Sequence, residues 1–294
     1  MKLNEYRIAF KKKIKRIIPD KLMIKKLYFL IMGKKLDINH PKSFNEKIQW
    51  LKLYDRNIEY PSYVDKYEAK KVVSSWIGND YLIPTLGVWE KYEEINFDDL
   101  PDSFVLKCTH DSGSVKICKN KEDIDHQEWK KWFESHLSYN FYYRFREWVY
   151  KTIKPKIIAE PYMDSLADKG LIDYKFFCFN GSPEFLYIST GLENHSTAKI
   201  SFYDMQGNEM PFYRSDYNQF HNAVFPDNFS EMKNIAEIIA KNVGSPFVRV
   251  DLYSVENKVY FSEITFYPNA GYIPFTPPEY DLLLGEKIIL PYEE

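Results

Sequence analysis

Two periodicities alternate along this chain, and together they predict a mixed fold. Residues 4–17 and 21–35 place apolar side chains at helical spacing (Ile8, Ile14, Ile17, then Leu22, Leu27, Leu30), which predicts two basic helices separated by Pro19-Asp20. Ser43 to Tyr54 reads as a helix with Ser43 as N-cap and Glu46 three residues on, the spacing of a capping box. Residues 62–77 predict a further helix, stopped at Gly78-Asn79, and Leu82-Ile83-Pro84 leads into an extended stretch through Trp89. After Pro101 the period shortens to two: strands are expected at Phe104–Thr109 and Val115–Lys119. A helix follows over Asp125–Leu137 with Asp125 as N-cap. Further strands are expected at Ile157–Met163, Tyr174–Phe179, Glu184–Ser189 and Lys199–Tyr203, then a helix at Ser230–Asn242. No internal repeat or low-complexity linker interrupts the chain. The fold class is α+β, with mostly antiparallel sheets in two lobes.

The last two strand-like runs, Phe247–Leu252 and Tyr260–Phe266, are joined by the polar stretch Ser254–Lys258 as a hairpin would be. Arg249 and Asp251 share one strand face, as do Glu263 and Thr265. Their neighbours are Val, Ile and Phe, so these charges belong to a buried face. Burying them is costly unless they pair or bind a cation. Two carboxylates on adjacent strands with an arginine beside them suit a hard cation and a phosphate. The chain has neither a P-loop nor a Gly-x-Gly-x-x-Gly run.

Composition changes this picture little. The 294 residues suffice for one to three lobes, and 28% charged with 45% hydrophobic residues is ordinary for globular proteins. Aromatics reach 17%, led by 24 Tyr and 21 Phe, which fits β-rich sheets. Cys108, Cys118 and Cys178 are isolated, have no metal-ligand spacing, and read as reduced core thiols of a cytosolic protein. The apolar run Leu27–Met32 is too short to span a bilayer, and no signal peptide is expected.

Charge is more informative. Residues 1–36 carry twelve Lys/Arg against Glu5 and Asp20, while the whole chain is at -2, so a head of about +10 sits on a body of about -12. Such a head either packs on the body with its lysines solvated or lies on anionic lipid.

Smaller motifs carry candidate chemistry, each with a plain structural reading beside it. Lys107 lies on a strand before the small-residue turn Asp111-Ser112-Gly113-Ser114, an arrangement able to cradle an anion or to be an ordinary hairpin. Ile157-Ile158-Ala159-Glu160-Pro161-Tyr162-Met163 is an apolar strand broken by a glutamate and a proline. The strand ends or bends there, freeing backbone groups for an adenine edge. Asp173 and Lys175 share one face of the next strand. Tyr143-Arg144-Phe145-Arg146-Glu147-Trp148 offers two arginines on one strand face, suited to a substrate carboxylate or to surface acids. His110 and His195 fall in loops and read as structural or exposed.

The order of these motifs resembles the ATP-grasp superfamily. The phrases FNEKIQWLKLYDRN, VDKY, YLIPTLGVW, LPDSFVLKCTHDSGS, REW, KPKIIAEPYM, DYKFFCFNG, PFVRVDLY and EITFYPNAGY resemble its TupA-like branch, over about residues 40–290. That branch occurs in gene clusters for teichuronopeptide, capsule and other surface polysaccharides. The resemblance implies a basic N-terminal helical extension (1–60), an N-terminal α/β segment (61–103), a small lobe (104–160) and a large lobe with the metal site (161–294). It implies ATP and Mg2+ as cofactors. Lys66 and Lys107 would contact phosphates, under a closing loop of Asp111, Ser112, Gly113 and Ser114. Glu160, Tyr162 and Met163 would hold the adenine and Asp173 the ribose. Lys175 and Arg249 would act on the transferring phosphate, and Asp251 and Glu263 would bind metal. Many such enzymes have Asn two residues after the metal glutamate. Here Thr265 stands there, so water or Asn269 would complete the set.

The implied activity is carboxylate–amine ligation through an acyl-phosphate, on a surface polysaccharide or its sugar precursor. The partners would be an amino acid or amine and a carboxylate-bearing sugar or glycan, with Arg144 and Arg146 as substrate contacts. No nucleic-acid partner is expected, and the location would be cytoplasmic, at the inner membrane face if residues 1–36 bind lipid. The rival readings are a glycosyltransferase, a sugar kinase and a non-catalytic binding module. The only Asp-x-Asp is Asp123-Ile124-Asp125, in a polar loop rather than at a strand end, which argues against the glycosyltransferase.

Overall fold

The computed structural model describes residues 17–163, 171–190 and 198–291. The helix expected over 4–17 and His195 lie outside the described residues.

Eight α-helices occur among the described residues: α1 (Asp20–Met32), α2 (Phe44–Tyr54), α3 (Tyr60–Val64), α4 (Glu68–Ile77), α5 (His126–Leu137), α6 (Tyr142–Phe145), α7 (Phe229–Val243) and α8 (Glu279–Glu286). The expected capping box opens α2: the Ser43 hydroxyl accepts from the Glu46 amide, and the Glu46 carboxylate accepts from the Ser43 amide. Asp125 caps α5 with a single bond, its carboxylate accepting from the Glu128 amide. No described helix is long and apolar enough to cross a membrane.

The strands form two antiparallel sheets and a small ribbon. A four-stranded sheet has the order β1-β4-β2-β3, with β1 (Gly87–Trp89), β2 (Phe104–Cys108), β3 (Val115–Cys118) and β4 (Ile157–Pro161). A five-stranded sheet has the order β10-β9-β5-β6-β7, with β5 (Asp173–Phe179), β6 (Ser182–Thr190), β7 (Lys199–Asp204), β9 (Phe247–Val255) and β10 (Lys258–Thr265). The ribbon pairs β8 (Tyr213–Arg214) with β11 (Phe275–Thr276).

Each sheet has one apolar face covered by a helix and one face that changes character along its length. In β2, Phe104, Leu106 and Cys108 are fully buried in a core shared with Trp129 and Phe133 of α5. Val105 and Lys107 then point to the other side. In β9, Val248, Val250 and Leu252 point one way, and α7 packs on β9, β6 and β5. On the opposite face, β5 and β9 carry Asp173, Lys175, Arg249 and Asp251 at one end and Phe177, Phe179 and Phe247 at the other. The aromatic end closes against Phe44 of α2, whose ring meets that of Phe247 edge-on at 4.9 Å. The same sheet face is thus core at one end and polar site at the other.

Two expectations are corrected. Residues 62–77 are not one helix. Asp65 ends α3, and its carboxylate accepts from the amides of Tyr67 and Glu68 at 2.9 and 3.0 Å, starting α4 afresh. Residues 143–148 are not a strand but the short helix α6, ended by Arg146 in the left-handed region (φ 60°). Buried Arg146 lies over the Tyr142 and Tyr143 rings and near Asp20, a tertiary seat that overrides the local alternation.

α8 crosses the start of α2 so closely that a Cβ on Gly285 would fall 2.6 Å from the Ser43 carbonyl carbon and 2.7 Å from the Phe44 nitrogen. Backbone cannot yield as a side chain can. Gly285→Ala is therefore expected to destabilise the protein by about 2–4 kcal/mol. Urea denaturation midpoints check this; an unchanged midpoint would mean that the crossing is looser than described.

Candidate active site

The polar ends of the two sheets face each other. β2 and β4 bring Lys107 and Glu160, whose side chains form an ion pair at 2.7 Å. A third partner comes from α4: Lys70 pairs with the other oxygen of Glu160 and donates to the Ile83 carbonyl (2.9 Å) and the Thr85 hydroxyl (3.1 Å). Lys70 escaped the sequence reading. Its signal was a lysine beside Ala69 and Val73 in the buried stripe of a helix.

Burial alone would raise the Glu160 carboxyl, but Lys107 and Lys70 outweigh it and hold the group down at about 2. Burial likewise works against the Lys107 ammonium, and Glu160 more than compensates, raising it above its ordinary value. For Lys70 burial wins over Glu160, and the ammonium is lowered. The depressed Glu160 carboxyl has a definite pH consequence. Its stabilisation is present above its unfolded value of 4.5 and is lost as pH falls through about 2. From that shift, acid is expected to remove roughly 3 kcal/mol of folding stability over this window. Glu160→Gln should flatten that part of an acid-unfolding curve, and an unaltered curve would mean that Glu160 is not held as a carboxylate.

The larger sheet supplies the second cluster. Arg249 forks onto Asp251, with Nε and Nη2 each 2.6 Å from a different carboxylate oxygen. The same Nη2 reaches Glu263 at 3.2 Å and the Thr265 hydroxyl at 3.0 Å, and Nη1 donates to the Tyr187 phenol at 3.3 Å. Lys175 lies between Asp251 at 2.6 Å and Asp173 at 3.2 Å. Asp251 is wholly buried, whereas the Glu263 side chain is 38% exposed, so Glu263 stands at the mouth. Burial raises the Asp173 carboxyl with Lys175 opposing it, and among the described residues Oδ1 of Asp173 has no hydrogen-bond partner. Arg249 and Lys175 outweigh burial at Asp251 and hold it down.

Glu263 reaches this face because of an irregularity. Phe261 pairs with Leu252 and Glu263 with Asp251, so Ser262 is an extra residue in β10. Without the bulge, Glu263 would share Phe261's face, the apolar one. Strict alternation gives no warning of this.

The loop after β2 closes the third side. The Lys66 amide donates to the Thr109 carbonyl at 3.1 Å, and the Lys66 ammonium donates to the Asp111 carbonyl. Buried Ser114 donates to the Asp111 carboxylate and lies 2.6 Å from Nδ1 of His136 on α5. His110 is buried, with Nε2 3.1 Å from the Tyr139 carbonyl. This pinning leaves Ser112 and Gly113 exposed at the tip. Gly113 has φ 94°, and open space surrounds the position of a Cβ, so its backbone is accessible to an anion.

Between the sheets lies an apolar bed. Ile83, Met163 and Val255 pack together with Leu171, Tyr253 and Tyr260 against them. Tyr162 is buried beside Met163 at the end of β4. Tyr253 is within electrostatic reach of Asp173, Lys107 and Lys175, so this bed adjoins both charged clusters. Tyr150 similarly senses Glu263, Asp111 and Arg249. Neither tyrosine was singled out from the sequence.

Not every expected site residue joins this assembly. Arg146 donates to the Ile18 carbonyl at 3.2 Å and lies near Asp20, and exposed Arg144 lies over the Phe141 and Phe145 rings. Thr265 accepts from Arg249 and donates to Glu263, orienting both. The Asn269 amide donates to the Tyr272 carbonyl at 2.7 Å. Asn269, Ala270 and Gly271 are all left-handed (φ 48°, 52° and 70°). Gln49 of α2 donates to the Ala270 and Gly271 carbonyls at 3.0 and 2.7 Å, and Lys52 donates to the Ala270 carbonyl at 2.5 Å. Buried side chains of α2 thereby hold a strained turn directly after the strand that bears Glu263.

The donor set fits a hard divalent cation. Asp251 and Glu263 are register partners and offer carboxylate oxygens. Among the described residues no three His, Cys, Asp or Glu converge as a cage, so water and phosphate oxygens would complete the coordination. The assembly also fits an anionic nucleotide: five cations, five carboxylates, an exposed glycine turn, an apolar bed and an Asp173 oxygen with no partner among the described residues. A separate cavity lined by Asn180, Gly181, Lys241 and Gly244 lies at the opposite end of β5 and β9 and has one cation and no carboxylate.

A family model described as TupA-like ATPgrasp matches residues 46–289. A search of curated proteins gives no match. Similar solved structures include the D-alanine–D-alanine ligase from Helicobacter pylori, with 15% identity over 84% of this chain and 70% of that one and a TM-score of 0.45. The D-alanine–D-alanine ligase from Bacillus anthracis complexed with ATP has 19% identity over 69% of this chain and a TM-score of 0.38, and the match spans only 53% of that ligase. D-cycloserine synthetase DcsG has 12% identity over 77% of this chain and 69% of that one, with a TM-score of 0.43.

Proposed function

We propose, from the premise that this chain belongs to the TupA-like ATP-grasp family, that it joins a carboxylate to an amine by means of ATP. The observation that carries this reading is the apposed pair of charged clusters, Lys70–Glu160–Lys107 on one side and Lys175–Asp251–Arg249–Glu263 on the other. They suit a polyphosphate, and a reaction run by positioning and charge neutralisation needs no protein nucleophile.

In this reading the adenine lies on the apolar bed beside Tyr162 and Met163, with Glu160 fixing Lys107 and Lys70 along it. Asp173 takes a ribose hydroxyl on Oδ1. Lys107, Lys66 and the Asp111–Ser114 turn hold the phosphates. Asp251 and Glu263 hold Mg2+, which when bound neutralises phosphate charge. Thr265 and Asn269 serve to orient Glu263 and the following turn.

The γ-phosphoryl group passes to a carboxylate oxygen, breaking the bond to the β-phosphate bridging oxygen and releasing ADP. Arg249 and Lys175 stabilise the charge on the transferring group. The acyl-phosphate then takes the amine's electron pair at its carbonyl carbon. Phosphate leaves with the former carboxylate oxygen, and the amine loses a proton.

The substrates are an amino acid or other amine and a carboxylate of a surface polysaccharide or its sugar precursor, and the reaction takes place in the cytoplasm. The family phrases quoted from the sequence support the polysaccharide setting. ADP release from Mg-ATP, assayed against amino acids and uronic-acid sugars, is expected only when both a carboxylate and an amine are present. ADP formed with one acceptor alone, leaving a stable phosphorylated product, would favour a kinase. Turnover of a nucleotide sugar would favour a glycosyltransferase.

A further inference from the structure

The ligation chemistry leaves one part of the molecule unused: the basic head and α1. One side of α1 is fixed to the body, with Met23, Ile24 and Tyr28 buried. Asp20 at its start pairs with Arg56 at 2.9 Å and accepts from the Tyr142 hydroxyl, so the rotation of the helix about its axis is set.

The other side faces outward, and it is not the polar side that a surface helix normally shows. Leu22 and Phe29 lie seven residues apart on one line of the helix, 61% and 53% exposed. Leu30 beside them is 66% exposed. Lys25 and Lys26 flank the pair, Lys21 stands at the margin, and all three are exposed. An apolar ridge bordered by long cationic side chains matches a bilayer interface, where the apolar groups enter the acyl boundary and the ammonium groups reach lipid phosphates.

Charge selects among the possible occupants. The head, residues 1–36, is at about +10 and the remainder at about -12. A second copy docked on this ridge would set lysine against lysine, and residues 1–16, with seven Lys/Arg and one Glu, would do the same. A nucleic acid would match the charge but gains nothing from Leu22, Phe29 and Leu30. An anionic bilayer matches both the charge and the apolar ridge.

We infer that the outward ridge of α1 (Leu22, Phe29 and Leu30 with Lys21, Lys25 and Lys26) docks the protein on an anionic lipid surface. The acidic body is repelled by the same surface, which orients the molecule with its head toward the lipid. This inference does not depend on the ligation reading.

Sedimentation of the full-length chain with phosphatidylglycerol–phosphatidylcholine vesicles tests it. Binding is expected to these vesicles and not to pure phosphatidylcholine, and to weaken with salt. The triple variant Leu22→Ser, Phe29→Ser, Leu30→Ser keeps every charge and is expected to lose about tenfold or more in partition. Lys21→Gln, Lys25→Gln, Lys26→Gln is expected to lose a similar factor. Both variants alter exposed side chains, and a cooperative thermal transition and circular dichroism spectrum like those of the parent chain establish that they fold. Failure of the parent to bind anionic vesicles, or undiminished binding by the triple serine variant, would overturn the inference. So would lipid-free self-association that the serine variant abolishes, since the ridge would then serve a second copy.

Discussion

Mg-ATP is expected to raise the melting temperature of the parent chain, and Asp251→Asn is expected to abolish that rise. Asp251 is wholly buried and receives two bonds from Arg249 and one from Lys175, all at 2.6 Å. The substitution keeps the shape and removes the charge. Arg249 and Lys175 then face each other across a neutral amide, a loss of about 3 kcal/mol if the cations stay in place. A divalent cation loses one of its two carboxylate donors, leaving half-exposed Glu263 alone. For the parent chain, nucleotide at a hundred times its dissociation constant adds about 2.7 kcal/mol, which for a chain of this length raises the melting temperature by about 4 °C. The variant should show no such shift, and ADP release should fall by about a thousandfold or more. A normal shift in the variant would show that the metal is bound elsewhere.

The second large effect is expected at Glu160. This carboxylate is almost fully buried, with Lys107 on one oxygen and Lys70 on the other. Glu160→Leu leaves two ammonium groups in a low-dielectric setting with no counter-charge. The expected cost is about 3–5 kcal/mol. Replacing all three as Glu160→Leu, Lys70→Met and Lys107→Met removes the charges together and should recover most of that loss. Nucleotide affinity should not recover, because the proposed site uses Lys107 to hold the phosphates. Denaturant midpoints and Mg-ATP titrations of the two variants separate the effects. Equal stability of the single and triple variants would contradict the picture of a buried charge triad.

The hairpin of Arg249, Asp251, Glu263 and Thr265 was legible because charges inside Val- and Phe-rich strands need an explanation that only pairing or a ligand supplies. Lys107, Glu160, Asp173 and Lys175 each read as ordinary strand residues alone and stood out only through the order of motifs that resembles the ATP-grasp superfamily, whereas the capping box of α2 and the Asp125 cap are local signals. What was missed depended on contacts distant in sequence or on irregular backbone. The bulge at Ser262 decides which face Glu263 takes, and no alternation shows it. Lys70 was hidden because its partner lies ninety residues away on β4. The hold of Gln49 and Lys52 on the left-handed turn at 269–271 spans more than two hundred residues. The alternation at Tyr143–Trp148 looked like a strand, and tertiary contacts from Asp20 and Ile18 made it a helix end. The segment 61–103 contributes β1 to the four-stranded sheet.

The polar faces of the two sheets are proposed as a nucleotide site, from which the phosphoryl group would pass to a carboxylate. Oxygen tracing tests that transfer most directly. The protein is incubated with Mg-ATP, a mixture of amino acids and glucuronic acid labelled with heavy oxygen in their carboxyl groups, and the phosphate released is analysed by mass. The expected result is inorganic phosphate carrying one heavy oxygen, formed together with ADP and an amide. ADP release with unlabelled phosphate, or with the label retained in a stable phosphorylated product, would contradict it.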